Sequence, residues 1–402
     1  FQREALGATL KAHIGIQLMT PHEWLHELLQ LMVSKGSSDL FISTGTPPQM
    51  KVNGRMVALG DKKLSVDQVR ELVLAPMSDM QRERFEEERE ANFAHSLPGV
   101  GRFRISAFYQ RSQMGMVIRR IQLSIPSLEE LRLPEIIKGL SETKRGLVIF
   151  VGGTGAGKST SLAAMIQHRN QTSSGHIICI EDPIEYIHPH QRSIVTQREV
   201  GIDTESFEVA LRNTLRQAPD VIMIGEIRSR ETMEHALTFA ETGHLCLATL
   251  HANNANQALD RIIHFFPEER HEQVWMDLSL NLKGIVAQQL LPHKSGNTTQ
   301  RVPAIEVMLR SPLIVDLIRK GAVVEIKDVM KRSQQQGMMT FDQSLYALHQ
   351  QGLITEEVAL AHADSANDLR LMIKFGDSDS AQEAQLDVLN AASRFSLQGD
   401  DD

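Results

Sequence analysis

The segment 147–166, LVIFVGGTGAGKSTSLAAMI, joins an apolar run to a helical pattern through a glycine-rich loop. It satisfies in full the spacing G-x-x-x-x-G-K-[ST] of a phosphate-binding loop. Glycines let backbone N–H groups close around phosphate oxygens, and the N-terminus of the next helix adds partial positive charge. The complete match disfavours the alternative, a turn that only packs tightly. The predicted nucleotide-binding residues are Gly152, Gly153, Thr154, Gly155, Ala156, Gly157, Lys158, Ser159 and Thr160.

Two side chains of this loop have specific expected roles. Lys158 is expected to contact the β- and γ-phosphates, and the Ser159 hydroxyl is expected to bind Mg²⁺.

Acidic residues follow two further apolar runs, where strands would end. Glu181 and Asp182 come directly after HIICI, with Glu185 close behind, and Glu226 follows VIMIG. In an open parallel sheet, the carboxyl ends of the strands meet at the ligand crevice. Glu181 and Glu226 are therefore candidates for the carboxylates that hydrolysis needs for metal and water. For Asp182 and Glu185, surface ion pairing is an equally good interpretation.

Two histidines flank another apolar run in TGHLCLATLH, with His244 before it and His251 after it. Because His251 would end a strand of the same sheet, it is a candidate to sense the γ-phosphate or to hold its loop. For His244 a structural role is an equally good interpretation.

From residue 146 onward, short apolar runs alternate with helical patterns, which predicts a parallel sheet covered by helices. Residues 268–375 are predicted to be mostly helical, with a hairpin-like interruption around SGNTTQRVPAIEV. The two cysteines, Cys179 and Cys246, lie within apolar runs and are predicted to be reduced, buried thiols.

The chain before residue 127 predicts a small α+β domain. Thr20 and Glu23 form the pattern of a capping box that opens a helix. DLFIS predicts a strand, and MKVNGRMV predicts a hairpin turning at Asn53-Gly54. One charged helix around 65–90 and two strands that alternate arginine with apolar residues complete it. The predicted organisation is an extension with little structure (1–18), an N-terminal domain (19–126), an α/β domain with C-terminal helices (127–375) and a disordered acidic tail (376–402).

Charge and hydropathy exclude several classes of protein. The 402 residues carry a net charge of −8, and most of it comes from the tail, which has seven acids and one arginine. Such a chain lacks the basic footprint of a nucleic-acid-binding protein. No apolar run approaches the roughly 20 residues of a membrane span. We therefore expect a cytoplasmic protein with no nucleic-acid partner and no direct membrane insertion.

The phosphate loop, the acidic box IEDPIEY, the segment IMIGEIR and the box TGHLCLATLH occur in the order found in secretion and pilus motor ATPases. From about Met19 to Lys374 the chain resembles the type IV pilus retraction ATPases of the PilT/PilU family. GSSDLFISTGTPPQMKVNGRM and HADSANDLRLMIK resemble the PilU branch. The resemblance implies an N-terminal PAS-like domain, a RecA-like P-loop NTPase domain and a homo-hexamer that binds ATP and Mg²⁺ between subunits.

By position, the resemblance makes Glu181 the acidic-box glutamate, Glu226 the Walker B acid and His251 a member of the histidine box. We favour Glu181 as general base and Glu226 as the residue that holds Mg²⁺ through water, and the sequence leaves the reverse assignment open. The resemblance also matches Arg102, Arg104 and Arg119 to basic positions that reach a neighbouring subunit's nucleotide. Arginines that alternate along a strand are equally typical of its solvent-exposed face.

Three positions depart from common patterns. Gly225 stands where many NTPases have a metal-binding Asp, and Ser229 stands where PilT-like sequences commonly have Asp. SPLIVDLIRKG replaces the retraction motif AIRNLIR, with Val315 and Asp316 in place of Arg-Asn. The last difference, with the acidic tail, implies an accessory to a PilT-type ATPase.

The implied function is an ATP-driven motor for type IV pilus retraction and twitching motility. It would act on an inner-membrane, PilC-like platform protein and would lie at the inner membrane through such partners. Two other functions stay open. A pilus assembly or type II secretion ATPase would share the motifs, but it usually carries two CxxC zinc pairs, which two cysteines cannot supply. A weakly active regulatory subunit docked on an active ring is the alternative from another class.

Overall fold

The computed structural model describes residues 19–52, 54–121, 124–295 and 300–375. The predicted extension 1–18 and acidic tail 376–402 lie outside the described residues. The chain divides into two compact units. The N-terminal unit comprises residues 19–124 and the short segment Ile184–Ile187, and the C-terminal unit comprises Ile125–Pro183 and the chain from His188 onward.

The N-terminal unit opens with helix α1 (Pro21–Ser34), which starts at the predicted capping box. The Thr20 hydroxyl accepts from the backbone N–H of Glu23, and the Glu23 carboxylate accepts from the backbone N–H of Thr20. Its apolar face buries Leu25, Leu28, Leu29 and Met32. The predicted start of this helix is therefore confirmed.

This unit also contains a six-stranded antiparallel sheet, in the order β3-β2-β1-β6-β5-β4. The predicted strand, hairpin and arginine-containing strands are confirmed, whereas β4 is a strand that the sequence did not predict. The strands are β1 (Asp39–Ser43), β2 (Gln49–Val52), β3 (Arg55–Ala58), β4 (Glu90–Leu97), β5 (Gly101–Gln110) and β6 (Gln113–Arg120).

The prediction of one charged helix around 65–90 is wrong. Two helices occupy this region, α2 (Val66–Leu74) and α3 (Asp79–Glu88). Pro76 lies between them and has no N–H to continue the helical hydrogen bonds. A capping box between Ser65 and Gln68 starts α2, and another between Ser78 and Gln81 starts α3.

A seven-stranded sheet organises the C-terminal unit, in the order β13-β12-β7-β11-β10-β8-β9. All adjacent pairs are parallel except β12 and β13, which confirms the predicted parallel sheet. The strands are β7 (Gly146–Val151), β8 (Gly175–Glu181), β9 (Ser193–Glu199), β10 (Val221–Ile224), β11 (Leu245–Leu250), β12 (Leu282–Pro292) and β13 (Arg301–Leu309).

The central strands of this sheet are buried along their full length, because helices cover both of its faces. The helices before and between the strands are α4 (Ile136–Glu142), α5 (Lys158–Thr172), α6 (Phe207–Thr214), α7 (Arg230–Glu241), α8 (Ala255–Ile263) and α9 (Glu268–Asn281). After β13 follow α10 (Pro312–Arg319), α11 (Ile326–Arg332), α12 (Phe341–Gln350), α13 (Glu356–His362) and α14 (Ala366–Phe375). Cys179 and Cys246 are free and buried, as predicted.

The prediction for 268–375 is correct in its helices and wrong about the size of the interruption. The hairpin begins at Leu282, so an 11-residue strand precedes the predicted interruption. Its sequence LKGIVAQQLLP is buried on both faces from Gly284 to Gln288, and periodicity cannot distinguish such a run from a buried helix. In the described part of the chain, no helix has both the length and the apolar character that spanning a bilayer requires.

Candidate active site

The glycine-rich loop runs from the end of β7 to the start of α5, as its sequence predicts. Gly157 caps α5 with a φ of +87°, a conformation that suits glycine. A Cβ on Gly157 would lie 2.7 Å from Nε2 of Gln288, and one on Gly152 would lie 2.5 Å from the Gln288 carbonyl oxygen. These two glycines therefore let the loop pack directly against β12.

The outer side of the loop is open. Gly153, Thr154 and Gly155 are exposed, and a Cβ on either glycine would meet nothing within 4 Å. Lys158 folds back over the loop, where its Nζ donates to the carbonyl oxygens of Gly152 (2.8 Å) and Gly153 (3.0 Å). The amine therefore already lies at the loop that would receive a phosphate.

Ser159 and Thr160 stand half-buried in the first turn of α5, and Ala156 is buried beneath the loop. The next residue, Ser161, is buried, and its hydroxyl donates to Oε1 of Gln288 at 2.7 Å. Gln288 thus supports both the loop and the first turn of the helix. The sequence analysis missed Gln288, although a polar residue inside the apolar run GIVAQQLL was a signal that could have found it.

Sheet order brings the candidate catalytic residues to one edge. The loop follows β7, and His251, Glu226 and Glu181 stand at or just past the carboxyl ends of β11, β10 and β8. These four strands are consecutive neighbours in the sheet and run parallel. The predicted groups therefore lie at one edge of the sheet, the edge at which a ligand crevice is expected.

Glu226 lies at the centre of a small polar cluster. Its Oε1 lies 3.1 Å from Nε2 of His251, and its Oε2 accepts a 2.7 Å hydrogen bond from Arg228. Arg228 also reaches Oδ2 of Asp182 at 3.3 Å. The hydrogen bond with Glu226 is the main cause that raises the pKa of Arg228 further above its already high value, and the Asp182 carboxylate adds to the rise. Arg228 is a site residue that the sequence analysis missed, despite its place two residues after Glu226.

Glu181 ends β8 and accepts a hydrogen bond from Nε2 of Gln197 on β9, at 3.0 Å. Gly225 lies against it, because a Cβ on Gly225 would come within 3.1 Å of the Glu181 Cα. The Thr249 hydroxyl, on β11, donates to the Gly225 carbonyl. The turn that presents Glu226 is therefore packed closely between two neighbouring strands, which explains why a residue without a side chain stands at 225.

Two residues with open assignments fall in different places. His244 precedes β11 at its amino end, opposite to His251, where its Nδ1 lies 3.1 Å from the Thr242 hydroxyl. Asp182 belongs to the Glu226 cluster through Arg228. Glu185 is exposed.

The three arginines lie in the N-terminal unit, on one face of β5 and β6. Phe103, Ile105 and Ala107 face the core, whereas Arg102 and Arg104 alternate with them. Arg104 pairs across the strands with Arg119, and Arg119 forms a 2.8 Å ion pair with the buried Asp39 carboxylate.

The donor set fits a nucleotide with Mg²⁺. Among the described residues, no cluster of three or more His, Cys, Asp or Glu is arranged to hold a metal ion by itself. Mg²⁺ bound with a nucleotide characteristically uses one or two protein oxygens together with phosphates and water. The Ser159 hydroxyl would supply such a protein oxygen, the Glu226 carboxylate would hold the metal through water, and the open loop leaves room for the phosphates.

The sequence matches the family model described as type II/IV secretion system protein over residues 22–377. The chain belongs to this family. It is 70% identical to the type IV pilus ATPase PilU of Pseudomonas aeruginosa over 355 residues, which cover 88% of this chain and 92% of that protein. It is 42% identical to PilT of the same organism, a type IV pilus retraction ATPase, over 83% of this chain and 96% of PilT.

The fold shows the same relationship. A solved structure of the pilus retraction motor PilT with bound ADP matches with a TM-score of 0.80 and 41% identity, over 86% of this chain and 98% of that chain. The predicted PilT/PilU family, the RecA-like fold with its smaller α+β domain and the ATPase activity are confirmed. As a member of the family, the chain is a nucleotide-binding ATPase.

Proposed function

We propose that this chain forms a homo-hexameric ring in the cytoplasm that hydrolyses ATP with Mg²⁺ at subunit interfaces and powers type IV pilus retraction. The observation that carries the proposal is the edge of the C-terminal sheet. There a complete phosphate-binding loop stands beside the Glu226–His251–Arg228 cluster, in a chain that is 70% identical to PilU.

Each polar group at this edge has a role in the proposed reaction. The loop N–H groups and Lys158 bind and orient the phosphates. Ser159 would hold Mg²⁺, with Glu226 holding it through water, and the metal would neutralise charge on the phosphate oxygens. Glu181, at the end of β8, accepts the proton of the attacking water, and His251 fixes the orientation of the Glu226 carboxylate.

A basic group from the neighbouring subunit completes the site in this proposal. Arg104 and Arg119 are the candidates, since an arginine supplied across an interface stabilises charge on the transferring phosphoryl group. Arg119 is already paired with buried Asp39. Arg104 has no ion pair with any described residue, and we therefore assign it the role towards the nucleotide.

A partner-dependent motor is favoured by helix α10. Asp316, which replaces part of the family's retraction motif, pairs with Arg319 at 2.7 Å and with Lys320 at 2.6 Å on the same helix. These contacts engage Arg319 of the motif and the following Lys320 within the subunit. We propose that the ring works alongside a PilT-type ATPase on an inner-membrane platform protein of the PilC type, and that it reaches the membrane through these partners.

The proposal is tested first by removing the loop amine. Lys158→Ala should lower ATP turnover at least about a hundredfold, because the amine contacts the phosphates between which the bond breaks. Turnover of the purified full-length protein is the measurement. Glu226→Gln is the companion variant, which should still bind nucleotide while hydrolysis stops. Normal turnover in Lys158→Ala would remove the assignment of this site.

Direction of motor work is tested in cells. Deletion of the gene in a piliated bacterium, scored for surface pili and twitching, should give piliated cells with impaired twitching. Cells without pili would instead favour the assembly or secretion ATPase.

A further inference from the structure

His251 lies in a four-residue loop whose far end is held by side chains. The loop runs from the end of β11 to the start of α8. Asn254 caps α8 by accepting from the backbone N–H of Gln257 at 2.9 Å. In the other direction, Nδ2 of Asn254 donates to Oδ1 of Asp364 at 3.2 Å. The position of His251 against Glu226 therefore depends on how this junction is anchored.

Glu306 is the buried anchor of the same junction. It stands in the middle of β13 with no exposed surface, and its Oε1 accepts a 2.8 Å hydrogen bond from the backbone N–H of Ala255, the first residue of α8. Its other oxygen, Oε2, is buried and makes no hydrogen bond of normal geometry with a described residue, although the backbone N–H of Phe341 is near enough to interact with the carboxylate. Glutamate is almost never fully buried without a partner charge, so a structural role alone would be served better by a neutral side chain.

The charged groups around Glu306 come from the C-terminal helices. Lys327 of α11 forms a close ion pair with Asp364. The Asp342 carboxylate of α12 accepts from the backbone N–H groups of Asp364 (2.8 Å) and Ser365 (3.2 Å). Burial raises the pKa of Glu306 to about 7, and Asp364 adds to the rise, whereas Lys327 and the backbone N–H groups of Ala255 and Phe341 oppose it. Burial also raises the pKa of Asp342.

We propose that Glu306 is a positioning residue for ATP hydrolysis, which holds the His251 loop through the Ala255 N–H and links its position to the C-terminal helices. The inference rests on the proposed role of Glu226 and His251 in that reaction. Neither Glu306 nor its charged neighbours contact Glu226 in the described structure, so Glu306 acts through the loop. The expected consequence is an effect on the rate of the chemical step and little effect on nucleotide binding.

Two substitutions separate the hydrogen bond from the charge. Glu306→Met removes the acceptor and leaves the Ala255 N–H unsatisfied, a change whose cost is typical of a lost buried hydrogen bond. It should lower kcat about tenfold with the KM for ATP changed less than about twofold. Glu306→Gln keeps a carbonyl oxygen for the Ala255 N–H and should retain kcat within about threefold of wild type.

The pH profile provides a readout that a merely structural role would not move. Wild-type kcat should rise by up to about threefold as the pH increases through about 7, because Glu306 then loses its proton and becomes a stronger acceptor for the Ala255 N–H. Glu306→Gln, which cannot titrate, should lack that step. An identical step in both proteins would overturn the link between Glu306 and the rate.

Hydrogen exchange tests the anchor without reference to turnover. The backbone amide of Ala255 should exchange faster in full-length Glu306→Met than in wild type, and Glu306→Gln should keep its protection. Unchanged exchange in Glu306→Met, shown by circular dichroism to be folded, would overturn the proposal. Absence of ATP turnover in wild-type protein would overturn the proposed function instead, so that the two failures are distinguishable.

Discussion

The two carboxylate oxygens of Glu226 have different partners. Arg228 holds Oε2 and His251 approaches Oε1, so that two protein side chains orient the carboxylate. Second groups that orient a carboxylate are characteristic of metal sites. Glu226, which two side chains orient, therefore fits the role on the metal side that we propose for it.

Sequence reasoning at this scale found the residues that end strands. Glu181, Glu226 and His251 each follow an apolar run, and a parallel sheet must bring such residues to one edge. Arg228 and Gln288 escaped it for a physical reason. Their roles come from tertiary contacts. The contact between Gln288 of β12 and the phosphate loop joins segments that are far apart in the sequence, and no local pattern of residues predicts it.

Gly225 offers a test of close packing at the same site. In Gly225→Ala the new Cβ would meet the Glu181 Cα and the Ile180 carbonyl oxygen at 3.1 Å, and backbone atoms cannot move away cheaply. Unfolding free energy should fall by about 1–3 kcal/mol, and turnover should fall because the turn before Glu226 shifts. Chemical denaturation and ATPase assays measure the two effects.

The matched control for Gly225→Ala is Gly139→Ala on α4, where an added Cβ meets nothing within 4 Å. It should leave turnover unchanged and should not reduce stability, since alanine favours helices. Equal behaviour of the two variants would contradict the packing argument.

At the scale of elements, the best predictions came from segments with local punctuation. The capping box at Thr20 gave the start of α1, and a separate box at Ser78 explains why 65–90 is two helices. Strands β4 and β12 were missed because neither carries a clear alternation. Strand β12 pairs with β7 on one side and β13 on the other, so its long apolar run is that of a strand inside the sheet.

Strand β12 has a second function as a support for the phosphate loop. Gln288→Leu would leave the buried Ser161 hydroxyl without its acceptor and would remove the amide beside Gly157. An unsatisfied buried group costs about 1–3 kcal/mol. Because this cost destabilises the loop conformation that binds ADP, the affinity for ADP should fall about tenfold. A fluorescence titration with ADP measures it.

Gln289→Leu is the matched control on the same strand, because Gln289 is only half-buried and makes no hydrogen bond with a described residue through its amide. It should bind ADP as wild type does. If both variants bind ADP equally, β12 does not support the loop through Gln288.

At the scale of the whole molecule, the proposed ring divides each active site between two copies of the chain. The phosphate loop and its acids belong to the C-terminal unit, whereas the candidate arginines belong to the N-terminal unit. Ion pairing within the N-terminal unit explains the position of only one of these two arginines. Arg119 neutralises buried Asp39, but Arg104 has no such internal partner among the described residues, which favours a role outside its own subunit.

Mixed rings test this division of the site. Arg104→Ala alone should lower turnover at least about tenfold, a conservative value for an arginine that stabilises phosphoryl transfer. Lys158→Ala alone should be inactive, but its Arg104 is intact.

When the two variants are mixed equally and allowed to exchange subunits, the phosphate loop of an Arg104→Ala subunit can meet the intact Arg104 of a Lys158→Ala neighbour. About a quarter of the interfaces should then be complete, which sets the turnover expected if interfaces act independently and the arginine is supplied in trans. Arg111→Ala, an exposed arginine in the turn between β5 and β6, should behave as wild type. No recovery in rings shown to contain both variants would mean that Arg104 does not act across the interface.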